Sequence, residues 1–156
     1  MKLSLLAFVL LVSLPPAAMA AAVSCPDLAT AAQVAACPTE AELEYTFTGY
    51  CSDNSRMYKN DDDVCNDYKR YRTLKNIALW ESGDGAFNAY VSCDLPPEKL
   101  KSAKVSSVKV GKQGKMTQVI CGYGDGLNFT YRTRSECKVE GTHCASNPAD
   151  CKASCN

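Results

Sequence analysis

The chain has 156 residues, 46% of them hydrophobic, and its 17 basic residues balance its 17 acidic residues. This length corresponds to one domain. Because there is no basic excess, net charge argues against binding to nucleic acid or to an anionic membrane surface. The ten cysteines are the feature of the composition that most restricts the fold.

Residues 1–20 have the three-part layout of a cleavable secretory signal. Lys2 provides the positive start, an apolar stretch runs from Leu3 to Leu14, and Ala18-Met19-Ala20 supplies the small residues before cleavage after Ala20. About 12 apolar residues are too few to span a bilayer, which needs about 20. We therefore predict a secreted or periplasmic protein without stable membrane insertion, whose mature part is a single domain over residues 21–156.

All ten cysteines lie in this mature part: Cys25, Cys37, Cys51, Cys65, Cys93, Cys121, Cys137, Cys144, Cys151 and Cys155. An even number in an exported chain predicts five disulfides, and a paired cysteine is neither a nucleophile nor a metal ligand. A zinc site is one alternative, but it favours a Cys-x-x-Cys spacing that the chain lacks. Lipidation of Cys25 is another. The spacing leaves the connectivity open, and the one pairing we predict is Cys121–Cys137, which would close the last hairpin.

Residues 25–76 are predicted to be mostly helical. The alanine-rich sequence between the first two cysteines favours a helix, and Thr39 with Glu42 fits the capping box of a second helix. Asp61-Asp62-Asp63 would begin a third helix that ends near Lys75. Acidic residues in its first turn and basic residues near its end match the helix dipole.

Residues 77–137 are predicted to form an antiparallel sheet of about five strands in meander order. Apolar and polar residues alternate along these segments, and Gly-Asp-Gly turns at 83–85 and 124–126 indicate hairpins. The predicted strands are Ile77–Glu81, Phe87–Cys93, Lys104–Val110, Met116–Tyr123 and Leu127–Tyr131. N-terminal helices followed by this sheet make the predicted fold class α+β and disulfide-rich.

The last segment, residues 138–156, is a cysteine-rich tail with few large apolar side chains. Asn147-Pro148 predicts the start of a helical turn with Cys151 and Cys155 on one face. Such a tail cannot bury a core of its own, so we predict that disulfides hold it against the domain.

No pattern in the sequence predicts a catalytic residue, a cofactor or a metal. His143, the only histidine, lies beside a cysteine that is expected to be paired, and Asp53 with the aspartates at 61–63 lacks the glycine of a calcium loop. A pair of carboxylates could still catalyse glycoside hydrolysis, which leaves a small secreted hydrolase as an alternative function. The acidic residues near hairpin turns are Glu81, Asp84, Asp125 and Glu136.

Two groups of residues are candidates for a surface that binds a partner. The first makes residues 99–115 basic, which suits an acidic partner, although lysines also protect the exposed edge of a sheet. Its members are Lys99, Lys101, Lys104, Lys109, Lys112 and Lys115. The second group is Tyr131, Arg132 and Arg134, together with Tyr123. These residue types are frequent interface anchors but also pack on the outer face of a sheet.

The segment Val119-Ile120-Cys121-Gly122-Tyr123, followed by Tyr131-Arg132 and Cys137, is similar to the terminal hairpin of small periplasmic proteins of unknown function. The signal is bacterial in style, whereas the number of cysteines also resembles that of secreted fungal effectors. Asn128-Phe129-Thr130 is a glycosylation sequon, which is used only in a eukaryotic host. The resemblance implies an exported cysteine-rich protein and assigns no functional residue.

These observations predict a non-enzymatic exported protein that binds another macromolecule, in the first instance a protein. Inhibitor, immunity and effector roles all fit this prediction. A rigid, cross-linked domain suits binding because it loses little conformational entropy on association. The alternatives are the carboxylate-dependent hydrolase and a structural surface protein.

Overall fold

The computed structural model describes residues 21–53, 55, 64–141, 144 and 146–156. The predicted signal peptide with its cleavage site after Ala20, the aspartates at 61–63 and His143 lie outside the described residues. The described part contains three helices: α1 Glu40–Cys51, α2 Tyr68–Lys75 and α3 Pro97–Ser102.

Its strands form two antiparallel sheets. The strands are β1 Ala21–Ser24, β2 Ala32–Gln33, β3 Ile77–Glu81, β4 Asn88–Ser92, β5 Ser107–Gln113, β6 Met116–Gly122, β7 Asn128–Thr133, β8 Cys137–Val139 and β9 Lys152–Cys155. The α+β class is confirmed. The helices, however, do not form an N-terminal half, because β1 and β2 precede α1 and because α3 lies between β4 and β5.

The capping box of α1 is confirmed. The backbone N–H of Thr39 donates to Glu42 Oε2 over 2.8 Å, and the N–H of Glu42 donates to Thr39 Oγ1 over 3.3 Å. Helix α2 begins later than predicted, at the side chain of Asp67, which accepts a hydrogen bond from the N–H of Lys69 over 2.9 Å. Residues 64–66 are turns and a bend, so the predicted early start of this helix is wrong, whereas its predicted end near Lys75 is confirmed.

The alanine-rich stretch before Cys37 is not the predicted helix. It forms one 3-10 turn, Leu28–Thr30, and then β2, whose two residues pair with the end of β3. The side chain of Leu28 is fully buried in the core. Burial and strand pairing in this segment therefore outweigh the helix propensity of its alanines.

The main sheet has six strands, one more than predicted, in the order β2-β3-β4-β7-β6-β5. The predicted meander is wrong after β4, where α3 begins at Pro97 and carries the chain to the far edge of the sheet. Strands β6 and β7 then fold back, so that Asn88 of β4 pairs with Thr130 of β7. Leu100 of α3 is 1% exposed, and its burial holds this crossover against the core.

The helical turn predicted in the tail forms as a 3-10 turn, Pro148–Asp150, after Asn147, whose side chain accepts from the N–H of Ala149 over 3.2 Å. The turn ends there, so the prediction that Cys151 and Cys155 share a helical face is wrong, and Lys152–Cys155 forms a strand instead. Strand β9 lies between β1 and β8 in a three-stranded sheet, with Ala21 and Cys137 both opposite Cys155. Ala153 and Cys155 are buried, whereas Lys152 and Ser154 are half-buried. This period-2 burial is that of a strand with one face on a core.

The core lies on one face of the main sheet, between it, the small sheet, α3 and the 3-10 turn. Fully buried side chains from several of these elements meet there: Leu28, Leu100, Val119, Cys121, Phe129 and Ala153. The tail therefore contributes to the core of the domain, which is why its own apolar side chains can be few.

All ten cysteines are paired, as predicted. The bonds are Cys25–Cys121, Cys37–Cys93, Cys51–Cys65, Cys137–Cys155 and Cys144–Cys151. The predicted bond Cys121–Cys137 is wrong. Cys121 lies opposite Phe129 in the β6–β7 hairpin and bonds to Cys25, whereas Cys137 begins β8 opposite Cys155.

Candidate functional site

The face of the main sheet that points away from the core carries a mixture of polar, cationic and apolar side chains. On β4, Ala89 and Val91 are buried, so the alternate residues Asn88 and Tyr90 point to this other face. The open face, as we name it, is formed by Leu79, Glu81, Asn88, Tyr90, Lys109, Gln118, Ile120, Thr130 and Arg132. Tyr90 is 71% exposed, so no described segment covers this part of the sheet.

The open face carries one cation from each of the two predicted partner-binding groups, Lys109 and Arg132. Arg132 of β7 lies opposite Gln118 of β6, and Lys109 lies on β5, the next strand along. With strands about 4.8 Å apart and a rise of about 3.3 Å per residue, the Cα atoms of Arg132 and Lys109 are about 12 Å apart. Exposed Arg134 follows β7 and exposed Lys115 lies in the β5–β6 turn, so both extend this cationic area.

The guanidinium of Arg132 is oriented by the neighbouring strand. Its Nη1 donates to Oδ1 of Asn88 over 2.6 Å, which directs the side chain across the open face. This bond uses one of the five N–H donors of a guanidinium, and two parallel N–H groups are the arrangement that binds a carboxylate. Sequence reasoning missed Asn88 and Tyr90, although the alternating pattern of β4 could have placed them together.

The remaining members of the two predicted groups lie elsewhere. Tyr131 points to the core side of β7, with its ring centroid 5.6 Å from that of Phe87. Lys112 also points away from the open face and binds Glu136 over 2.6 Å. The other three lysines are exposed on or just after α3, at the end of β5 opposite to Lys115. They are Lys99, Lys101 and Lys104.

The acidic residues considered for hydrolysis have separate surroundings. Asp84 accepts hydrogen bonds from the hydroxyl of Ser82 over 2.5 Å and from a backbone N–H of its turn, and these bonds hold its pKa below the usual range. Asp125 lies in the β6–β7 turn at a left-handed φ of 49°. Glu136 is paired with a lysine, and Glu81 ends β3. The carboxylate of Asp84 thus stabilises its turn, and that of Glu136 forms an ion pair.

A second feature is a groove of about 620 Å³ between α1, the end of α2 and the segment before α1, which we name the hairpin groove. Pro38, Leu43 and Tyr71 contribute to its apolar lining, and the last two are each 2% exposed. Glu42 and Lys75 supply its charges. No sequence pattern indicated this groove, because its walls come from segments far apart in the chain.

Arg72 ties α1 and α2 to the main sheet. Its Nε lies 3.1 Å from Glu40 Oε2 and its Nη1 lies 3.0 Å from Asp94 Oδ2, while Asn76 also donates to Asp94 over 3.1 Å. The pKa of Glu40 is lowered, chiefly by the hydrogen bond from the Tyr68 hydroxyl, and that bond raises the pKa of Tyr68 to about 12. The hydrogen bond from Arg72 lowers the pKa of Asp94.

We expect Arg72→Gln to destabilise the protein at neutral pH and to have a smaller effect in acid. A carboxylate whose pKa falls on folding stabilises the fold fully above its usual pKa, 4.5 for Glu40 and 3.8 for Asp94, and stops doing so as the pH falls through the lower folded value. Urea unfolding of both proteins between about pH 7 and about pH 2 tests this. The difference in urea midpoint between the unmodified protein and Arg72→Gln should become smaller in acid. A difference that stays constant with pH would contradict the prediction.

Comparisons with protein-family models, with curated proteins and with solved structures find no match for this chain. Among the described residues, no helix is long and apolar enough to cross a membrane. The same residues contain no group of three or more His, Cys, Asp or Glu side chains placed to hold a metal ion. The open face and the hairpin groove are the two features whose geometry bears on function.

Proposed function

We propose that this chain is an exported, non-enzymatic protein that binds an acidic surface of another protein through its open face. The observation that carries the proposal is the position of Arg132, whose Nη1 is hydrogen-bonded to Asn88 over 2.6 Å. It lies on a sheet face that no described segment covers and that also bears Tyr90 and Lys109. Arginine and tyrosine dominate the binding energy of many protein interfaces. The open face carries two cations, Lys109 and Arg132, against one carboxylate, Glu81, and this balance favours an acidic partner.

The rigidity of the face supports the same proposal. A sheet restrained by disulfides has little conformational entropy to lose on association, so more of the contact energy appears as affinity. Five disulfides are also what an oxidising, extracytoplasmic compartment permits. A secreted or periplasmic inhibitor, immunity protein or effector would meet its partner there.

The test begins with oxidised residues 21–156 as bait against the extracytoplasmic proteins of the source, followed by affinity measurements with the purified partner. The double variant Lys109→Glu with Arg132→Glu should weaken binding by at least about tenfold, since it places anions against an acidic surface. The control is Lys99→Glu with Lys101→Glu, which changes the same net charge on exposed positions of α3 and should leave the affinity nearly unchanged.

Two outcomes would overturn the proposal. Equal losses of affinity in both double variants would show that net charge, rather than the open face, governs binding. Self-association of the unmodified protein without any captured partner would favour a structural surface protein instead.

A further inference from the structure

The hairpin groove has walls that are fixed by covalent bonds. Cys37 forms one wall and is bonded to Cys93 at the end of β4. The opposite wall is α1, whose end is bonded to the segment before α2 through Cys51–Cys65. A groove restrained in this way is largely formed before any ligand arrives, which lowers the entropic cost of binding.

The floor of the groove is apolar, and its two ends carry opposite charges. Leu43 and Tyr71 form the floor. Glu42 lies in the first turn of α1, whereas the ammonium of Lys75 lies 5.2 Å from the ring centroid of Tyr50, eight residues further along the helix. At 1.5 Å per residue, this spacing separates the two charges by about 12 Å along α1.

The contacts that hold the Glu42 carboxylate and the Lys75 ammonium in place leave both groups charged. Oε2 of Glu42 accepts from the N–H and the hydroxyl of Thr39 over 2.8 and 2.9 Å, and these bonds keep its pKa below the usual range. The ammonium of Lys75 stacks on an aromatic ring, a contact that positions a cation without neutralising it. The described contacts thus leave an anion and a cation at opposite ends of an apolar floor.

We propose that the hairpin groove binds a short, extended apolar peptide with free termini, its ammonium at Glu42 and its carboxylate at Lys75. An extended chain spans about 3.3 Å per residue, so about three residues bridge the two charges. The volume of about 620 Å³ lies in the range of ligand sites that combine an apolar lining with a few polar groups. The groove shares no residue with the open face, so this inference is independent of the proposed function.

The experiment is calorimetric titration of the oxidised chain, residues 21–156, with the tripeptide Leu-Ala-Leu. The free peptide should bind saturably, and either N-acetylation or C-amidation should weaken binding by about two- to fivefold, because each removes one ion pair with an exposed side chain. Absence of saturable binding, or equal affinity for all three forms, would overturn the inference.

Three variants test which charged residue of the groove binds which terminus of the peptide. Glu42→Gln keeps the capping box, which accepts Gln as well as Glu, and should abolish the preference for a free N-terminus alone. Lys75→Gln should abolish the preference for a free carboxylate alone. Lys69→Gln removes an exposed cation of α2 outside the groove lining and should change neither the preference for a free N-terminus nor that for a free carboxylate. If it had the same effect as Lys75→Gln, the assignment of the peptide carboxylate to Lys75 would be refuted.

Discussion

Replacing Cys25 and Cys121 together with alanine should lower the free energy of unfolding by about 4 kcal/mol. The bond has a sequence separation of 96, which the intact Cys37–Cys93 bond shortens to a loop of about 40 residues, and the entropy that a disulfide removes from the unfolded chain rises with loop length. It also joins the segment after β1 to β6 of the main sheet, where Cys121 is fully buried. A loss of this size is a large fraction of the stability of a small domain.

The matched control is the double replacement of Cys144 and Cys151, whose separation is only 7. The same entropic argument gives a loss of about 2.5 kcal/mol for this bond. Urea unfolding of both oxidised double variants measures the two losses side by side. If the short loop proved as costly to open as the long one, the stabilisation would have to come from contacts around the sulfur atoms rather than from chain entropy.

Phe129→Ala should cost about 3–5 kcal/mol, because the ring is fully buried and its removal leaves a cavity that the disulfide-bonded sheet cannot easily close. The ring packs edge-on against Tyr123, with centroids 5.9 Å apart, so its loss also removes an aromatic contact. Tyr123 is itself tied to the N-terminal segment by its hydroxyl, which donates to the carbonyl of Pro26 over 2.5 Å. We therefore expect the loss to lie near the upper end of this range.

Tyr90→Ala is the control for this core substitution. Tyr90 is a similar aromatic residue on β4 in the same sheet, but it is 71% exposed on the open face. A substitution at such a position usually changes stability by no more than about 0.5 kcal/mol. Urea midpoints separate the two variants, and a large loss for Tyr90→Ala would mean that some part of the protein covers the open face.

The open face could be predicted from the sequence only in part. Lys109, Arg132 and Arg134 were candidates because of their residue types, but the strand crossover after β4 decides that β7 lies between β4 and β6 and so brings Asn88 beside Arg132. Tyr131 was grouped with its neighbour Arg132, yet adjacent residues of a strand point to opposite faces. The alternation in the sequence, which places Phe129 and Tyr131 on one face, could have shown that Arg132 lies on the other.

Sequence patterns predicted the structure correctly where the stabilising contacts lie between residues close together in the chain. The capping box of Thr39 and Glu42 depends on hydrogen bonds within four residues, and it forms as predicted. The alternation along β3, β4 and β6 likewise predicted strands that the structure contains. The even number of cysteines predicted complete pairing, which needs no knowledge of the fold.

The sequence by itself thus determined the α+β class, the complete oxidation of the cysteines and most of the strands. The tertiary structure alone decided the sixth strand, the crossover through α3, the strand in the tail and the partners of every cysteine. The reason is physical: β2 and β9 are short segments without large apolar side chains, and their conformation is decided by the strands beside them and by burial. A disulfide likewise joins the sulfur atoms that the finished core brings together, as it does for Cys25 and Cys121.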